Sequence, residues 1–527
     1  MAARDRPLRF LFFLQHAGYL RHYAEPIRLL AARGHVVHIA LGADEKNVGA
    51  SALVDRLVST RNVTAGSAPE RRTSDKWRPI VWLVRAFADL ARYSDPRFSE
   101  ARALRARVAE TIEQNTHVKG EGIDRVSAWV LRQTIGRLIG YLVSRSDARV
   151  AQRTTGAFLA LERAIPSSPE IERYLEEQRP DAVLVTPLVD VGSAQADFLK
   201  SAQALGIPSA LCVASWDNLS GKGLIKPRPD RVVVWNETQR REAVELHGIP
   251  ARRIVVTGAQ RYDEWFTRRP STTAAEFRGA VGLEREAQYL LYLCSSRFIV
   301  GDETSFVLRW ARALRESSVE QIRSAGILIR PHPQNAEHWS NVDVSELGNA
   351  VVWPREGEHP DSEQARSTFY DSIAHSAAVV GVNTSALIEA TILGKGTYTL
   401  LDPGFAQTQA GTLHFHYLRH EHGGVLRTAD SVDEHHRQLA AAFDGADEDP
   451  EQFRTFLGRF VRPRGLTEPA APLVADAIAE VAGIHRAARG ARGVDLILRG
   501  LLAPAAALSW LTLTLGSRRS HARHRPA

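Results

Sequence analysis

The sequence predicts an α/β protein of two doubly wound, Rossmann-like domains, the first carrying a helical insertion. Three observations lead there. Short apolar runs, each followed by a polar loop and a helical pattern, recur over residues 8–60, 180–257 and 289–401. That alternation is how a parallel sheet covered by helices on both faces is written in sequence. Over about 60–165 the strand-like runs vanish, and long stretches rich in Arg and Ala take their place. Finally, 527 residues are more than one hydrophobic core organises, so at least two domains are expected.

Composition narrows the function. Apolar residues at 44% and charged residues at 24% are ordinary globular values. The 67 Lys and Arg exceed the 60 Asp and Glu, for a net charge of +7. That excess suits phosphate-bearing ligands or an anionic membrane surface. No zinc-ligand spacing and no RNP-like string accompanies it, so nucleic acid is not an expected partner. The two cysteines, Cys212 and Cys294, each lie in an apolar run. They imply no disulfide framework and point to a reducing, cytoplasmic setting.

Taken in order, Arg4, Arg6 and Arg9 before the apolar run 10–14 open like a signal peptide. The run ends at Gln15-His16 without a small-residue cleavage site, and a buried first strand accounts for it. A loop from His16 to His22 leads into a helix that Gly34 terminates, and a second strand covers 36–41. The loop has no G-x-G-x-x-G pattern, so no dinucleotide site is indicated. In the insertion, Val81, Trp82, Val84, Ala88 and Leu90 fit a helix over 80–93. Val126, Trp129, Val130, Ile135, Leu138 and Leu142 fit another over 123–143. Helix–helix packing explains both, with acceptor holding or membrane contact as the other uses.

Strands resume at 181–186, 209–214, 231–235 and 253–257. The second of these exits into Ser215-Trp216-Asp217-Asn218-Leu219-Ser220-Gly221-Lys222-Gly223, at the end of the sheet where doubly wound folds hold ligands. Asp217 is a candidate general base and Lys222 a phosphate partner. Equally, Asp217 could brace a Gly-rich loop through local hydrogen bonds.

The second sheet begins at 289–293 and exits through Cys294-Ser295-Ser296-Arg297; a helix covers 303–316. The strand 326–329 ends in Arg330-Pro331-His332-Pro333, whose prolines stiffen the loop. Arg330 suits a phosphate, and His332 suits either a ligand or a structural role. A helix over 367–377 and a strand over 378–381 enter Val382-Asn383-Thr384-Ser385-Ala386-Leu387-Ile388-Glu389. Asn383, Thr384 and Ser385 sit where a helix leaves its first N–H groups unpaired, which attracts an anion such as a diphosphate. Glu389, one turn after Ser385, could accept from the two hydroxyls of a ribose. The plainer reading is an N-capped helix. After the strand 396–401, the loop 402–417 is dense in polar groups, with Gln409 and Thr412 placed to lie over the same pocket. The plainer reading there is a solvated loop.

These strings (215–223, 258–266, 330–333, 383–390 and 409–418) resemble the GT-B glycosyltransferases, two Rossmann-like domains facing a cleft. The resemblance is nearest to bacterial surface and capsular polysaccharide transferases, including those similar to CDP-glycerol glycerophosphotransferases. The chain is more distantly similar to the non-hydrolysing UDP-GlcNAc 2-epimerases. The resemblance covers roughly 8–60 and 180–480. It implies an acceptor domain over 1–270, a nucleotide-donor domain over 271–465, a crossover helix over 466–490 and a basic, apolar tail over 491–527. It also implies Thr384 and Ser385 on the donor diphosphate, Glu389 on its ribose, and Arg297 and Arg330 as phosphate partners, with Asn383, His332, Gln409 and Thr412 around them.

The activity so implied is transfer from a nucleotide-diphosphate donor to a glycan or lipid-linked acceptor. A helix dipole and Arg can stabilise the leaving phosphate without a metal, and no cofactor beyond the donor itself is expected. Asp447-Glu448-Asp449 has the spelling of a metal-binding pair but reads as a solvated cap. Asp217 and His16 are the candidate bases. The alternatives are a nucleotide-sugar 2-epimerase, which needs no acceptor, and a non-catalytic nucleotide-sugar-binding scaffold. The uncharged stretch 500–516 lies between Arg499 and Arg518-Arg519, with Pro504 inside it. It is expected to be a peripheral anchor on anionic lipid, or else a tail helix packed on protein.

Overall fold

The computed structural model describes residues 6–42, 51–99, 101–116, 125–445 and 449–523. The chain forms two compact units, Met1–Thr257 with Ala471–Ala527, and Gly258–Ala470. The first unit thus ends ahead of the expected 270 and takes the C-terminal residues back into itself.

The first unit's sheet has seven strands: β1 (Arg9–Leu14), β2 (Val36–Leu41), β3 (Val63–Ser67), β4 (Ala182–Thr186), β5 (Ser209–Cys212), β6 (Arg231–Val234) and β7 (Ile254–Val256). All pairings are parallel, in the order β3-β2-β1-β4-β5-β6-β7. Period-2 alternation sends β1 side chains to two cores. Phe10, Phe12 and Leu14 join Tyr23, Ile27 and Leu30 of the Leu20–Ala32 helix, with Val474, Ile478 and Val481 of the Ala470–Val481 helix. Leu11 and Phe13 face the other way, with Leu175, Val183, Val185 and Leu199. The Ala470–Val481 helix therefore completes one face of the first sheet.

One expectation fails at the start of the insertion. Residues 63–67 are a strand, β3, paired in parallel with β2. Only Val63 of β3 is buried, so this edge strand has no apolar run to announce it. Among the described residues, four α-helices then follow, Arg78–Arg92, Arg102–Thr116, Arg125–Ser144 and Ala148–Ala164.

The second unit's sheet has six strands: β8 (Tyr289–Leu293), β9 (Gly326–Arg330), β10 (Ala350–Val352), β11 (Ala378–Val380), β12 (Thr397–Leu400) and β13 (Leu426–Ala429). It too is parallel, ordered β10-β9-β8-β11-β12-β13. The expected strands are all present. Its two edge strands, β10 and β13, escape sequence reading because they are short and only partly covered, with Val351, Arg427 and Thr428 half-buried. In both sheets the chain starts in the middle, winds outward, then returns beside the first strand. Each sheet consequently has a switch point, at β1/β4 and at β8/β11, where the loops part and leave a crevice. Cys212 and Cys294 are both buried free thiols.

Candidate functional site

At the β8/β11 switch point, Gly381 follows β11. A Cβ there would stand 3.0 Å from the Leu293 carbonyl of the neighbouring strand end, so glycine allows the close approach. Val382 is buried, and Thr384 and Ser385 are half-buried at the start of the Ala386–Ile392 helix. Among the described residues, the backbone N–H groups of Thr384 and Ser385 have no protein acceptor, and Ser385 makes no side-chain cap bond. Glu389 is one turn further on, 5% exposed, and accepts from Arg261 Nη2 at 3.3 Å. Arg261 belongs to the 258–266 string and lies 4.9 Å over the Tyr262 ring. It was not singled out in the sequence, because its partner is 128 residues away.

The loop after β12 does meet this turn. Asn383 Nδ2 donates to the Thr408 carbonyl at 2.6 Å and lies 3.5 Å from His414 Nε2. Within that loop Gln409 and Thr412 are supports. Gln409 Nε2 donates to Thr399 Oγ1 and the Leu400 carbonyl, and its Oε1 accepts from Asp402 N. Thr412 Oγ1 donates to the Gln409 carbonyl at 3.0 Å. Both side chains are buried; Gln409 ties the loop to β12, and Thr412 braces the loop internally.

The other expected donor residues make no hydrogen bond to the 383–385 turn. Arg330, at the end of β9, is 5% exposed and packs between the Trp353 and Phe369 rings at 5.3 and 5.1 Å. Its Nη2 is 3.9 Å from Glu358 Oε2, and its Nη1 has no partner among the described residues. Burial pulls its pKa down to about 10, which Glu358 only partly offsets. Arg297 is exposed and paired with Glu337. His332 Nδ1 accepts from Gln334 N at 3.1 Å.

The β1/β4 switch point carries the other cluster. His16 and Tyr19 follow β1, with ring centroids 4.6 Å apart. After β4 comes Asp190, which accepts from Lys222 Nζ at 3.2 Å. Burial is the largest effect and opposes the charge on Lys222, but Asp190, Tyr19 and Asp217 together outweigh it, and its pKa is raised. Asp217 is thus one of several acidic groups around this ammonium. It is also close to Asn218, whose Nδ2 is 3.4 Å from Asp217 Oδ1 and whose Oδ1 accepts from Ala214 N and Ser215 N. Asp190 and Tyr19 went unnamed in the sequence; only the strand order brings them beside Lys222.

The insertion holds these loops in place. Arg92 donates to the carbonyls of Leu219, Lys222 and Gly223, and Tyr93 Oη donates to the Lys222 carbonyl at 2.7 Å. Asp89 accepts from Gly192 N and Leu224 N and pairs with Lys226. Arg85, fully buried, bridges Glu162 and Asp197 at 3.0 and 2.8 Å. Among the described residues no three His, Cys, Asp or Glu side chains gather as for a metal ion. Asp447 and Glu448 lie outside the described residues, and Asp449 caps the Pro450–Phe460 helix by accepting from Gln452 N.

Two parallel sheets, each with polar loops at its switch point, define a two-domain Rossmann-like α/β protein. Solved structures similar to the chain include glycosyltransferases and UDP-GlcNAc 2-epimerases. A glycosyltransferase from Rickettsia africae is 10% identical, covers 90% of this chain and 99% of its own, and has a TM-score of 0.47. Acinetobacter baumannii MurG is 12% identical over 90% of this chain and 100% of its own, at a TM-score of 0.42. The Neisseria meningitidis UDP-GlcNAc 2-epimerase bound to UDP-GlcNAc is 12% identical over 90% and 100%, at 0.46. No family model and no curated protein matches the chain. The functional reading below therefore rests on the residues of the site.

Proposed function

We propose that the chain is a glycosyltransferase, or a related glycerophosphotransferase, that takes its group from a nucleotide-diphosphate donor. The acceptor is a surface-polysaccharide or lipid-linked hydroxyl, and the enzyme works in the cytoplasm at the inner face of the membrane. The observation that carries this is the Thr384–Ser385 turn. It is half-exposed at a switch point, with two backbone N–H groups lacking acceptors among the described residues and Glu389 one turn beyond. Diphosphate oxygens take the N–H groups and hydroxyls, and the ribose hydroxyls donate to Glu389, whose carboxylate Arg261 orients.

In the reaction, the acceptor oxygen bonds to the transferred group as that group's bond to the diphosphate oxygen breaks. The electron pair leaves on the nucleoside diphosphate in glycosyl transfer, or on the nucleoside monophosphate in glycerophosphate transfer, and the helix start stabilises that charge. The candidate bases for the acceptor proton are Asp217 and His16.

The experiment is isotope tracing with a labelled nucleotide sugar, together with nucleotide titration of the wild type and Ser385→Ala. Label in an acceptor supports transfer. An epimerised nucleotide sugar without acceptor replaces this reading with the epimerase, and binding without turnover replaces it with the scaffold. A bound nucleotide whose diphosphate lies away from Thr384 and Ser385 overturns the site.

A further inference from the structure

We propose that the helix Gly493–Arg523 lies flat on an anionic bilayer instead of crossing it, with Ile497, Leu501 and Leu508 as its membrane face.

By length and composition the segment Gly493–Trp510, of mean hydropathy 1.3, could cross a membrane. Its packing says otherwise. Positions 495, 499, 502, 506 and 510 recur at steps of three and four, so they share one face. That face is docked on the insertion. Ala506 is fully buried, and Leu502 and Ala503 pack with it against Trp77, Ile80, Val81, Val84 and Ile165. Arg499 Nε donates to the Ala164 carbonyl at 2.8 Å, and Trp510 Nε1 to the Thr73 carbonyl at 2.9 Å. Asp495 is 3.7 Å from Arg163. A spanning helix would have to leave all these partners behind and bare the apolar face of the Arg78–Arg92 helix.

The opposite face is the unusual one. Val494, Ile497, Leu501 and Leu508 are 58, 66, 71 and 64% exposed. Over 494–510 the only charges, Asp495 and Arg499, point toward the protein. A helix packed on a soluble protein carries its charges outward. This one is reversed, so its outer face suits a hydrocarbon boundary.

Charge selects the occupant. Arg163, Arg486 and Arg492 crowd Arg489 at the N-terminal end of the helix, and burial together with these neighbours lowers its pKa. By sequence, Arg518, Arg519 and Arg523 follow at the other end. Basic groups at both ends of an apolar stripe match anionic headgroups over acyl chains. A second copy of the chain would set these guanidinium groups against one another.

The test is sedimentation of the full-length protein with vesicles of phosphatidylcholine alone, or of equal parts phosphatidylcholine and phosphatidylglycerol. Wild type is expected to bind the mixed vesicles and to be released by high salt or alkaline carbonate. Ile497→Ser, Leu501→Ser and Leu508→Ser together should weaken binding about tenfold or more, with an unchanged circular dichroism spectrum. Equal binding by the variant, or no vesicle binding by the wild type, overturns the proposal. So does resistance to carbonate extraction, which means a spanning helix. A dimer in light scattering that the triple variant dissolves overturns it in favour of a second copy. Nucleotide titration reads the donor turn separately, so either reading can fail alone.

Discussion

Asn383 donates its amide to the Thr408 carbonyl at 2.6 Å, joining the turn after β11 to the loop after β12. Asn383 is 2% exposed, so the bond is made away from water. Asn383→Ala removes it and leaves the Thr408 carbonyl short of a donor. The expected cost is about 1–2 kcal/mol of stability, with a raised KM for the donor because the loop loses its anchor. Thermal melting and donor titration together check this; an unchanged KM would show that the loop takes no part in donor binding.

Arg261 and Glu389 are paired at 3.3 Å and are expected to act as one unit in the proposed donor site. Glu389→Gln keeps the shape and removes the charge, and is expected to weaken nucleotide binding by about tenfold to a hundredfold. Arg261→Ala should weaken it less, through loss of orientation alone. The two effects should not add, with a coupling of about 0.5–2 kcal/mol in a double-mutant cycle read by calorimetry. Simple additivity would separate Arg261 from the site.

The buried cluster of Arg85, Glu162 and Asp197 makes the first unit sensitive to truncation and to acid. Arg85→Met leaves two buried carboxylates without their shared partner, a loss of about 3–5 kcal/mol to be read in urea unfolding. Burial alone would raise both carboxyl pKa values, but Arg85 and Arg71 around Asp197, and Lys200 and Arg85 around Glu162, hold them lowered. Depressed carboxylates stabilise the fold above their unfolded pKa of about 4 and lose that contribution as pH falls through the folded value. Wild-type stability should therefore drop below about pH 4, and Asp197→Asn should flatten the drop while lowering the neutral plateau.

Glu303 gives the second unit the opposite slope. It accepts from Tyr292 Oη at 3.1 Å and from Ser295 N, and burial raises its pKa to about 7. A carboxyl raised in the folded state contributes stability below its unfolded pKa, and that contribution is lost as pH rises through about 7. Unfolding of the second unit should be easier at pH 8 than at pH 5, by up to about 3 kcal/mol. Glu303→Gln should remove the difference; a pH slope that persists in that variant would place its origin elsewhere.

Much of this organisation was legible in sequence wherever a strand is buried on both faces. The runs at β1, β4, β8 and β9 announce themselves because water is excluded from every side chain they carry except Arg9 at the start of β1. Edge strands β3, β10 and β13 do not, being short and half-covered. The Arg78–Arg92 helix shows why charges mislead. Arg85, Asp89 and Arg92 recur at four and three residues and look like a solvent face, yet all are buried against loops and helices distant in the chain.

By itself the sequence determined the two doubly wound sheets, the position of the Asn383-Thr384-Ser385 turn at a helix start, and the spacing that puts Glu389 on the same face. These are local matters of period, capping and turn chemistry, decided within a few residues. Only the tertiary structure decided which polar groups keep their bonding capacity for something else. Gln409 is engaged with β12 and Thr412 within its own loop, Arg330 is enclosed by Trp353 and Phe369, and Glu389 has found Arg261. The physical reason is that a buried polar group must be partnered, and the partner is set by strand order and loop placement over long sequence distances.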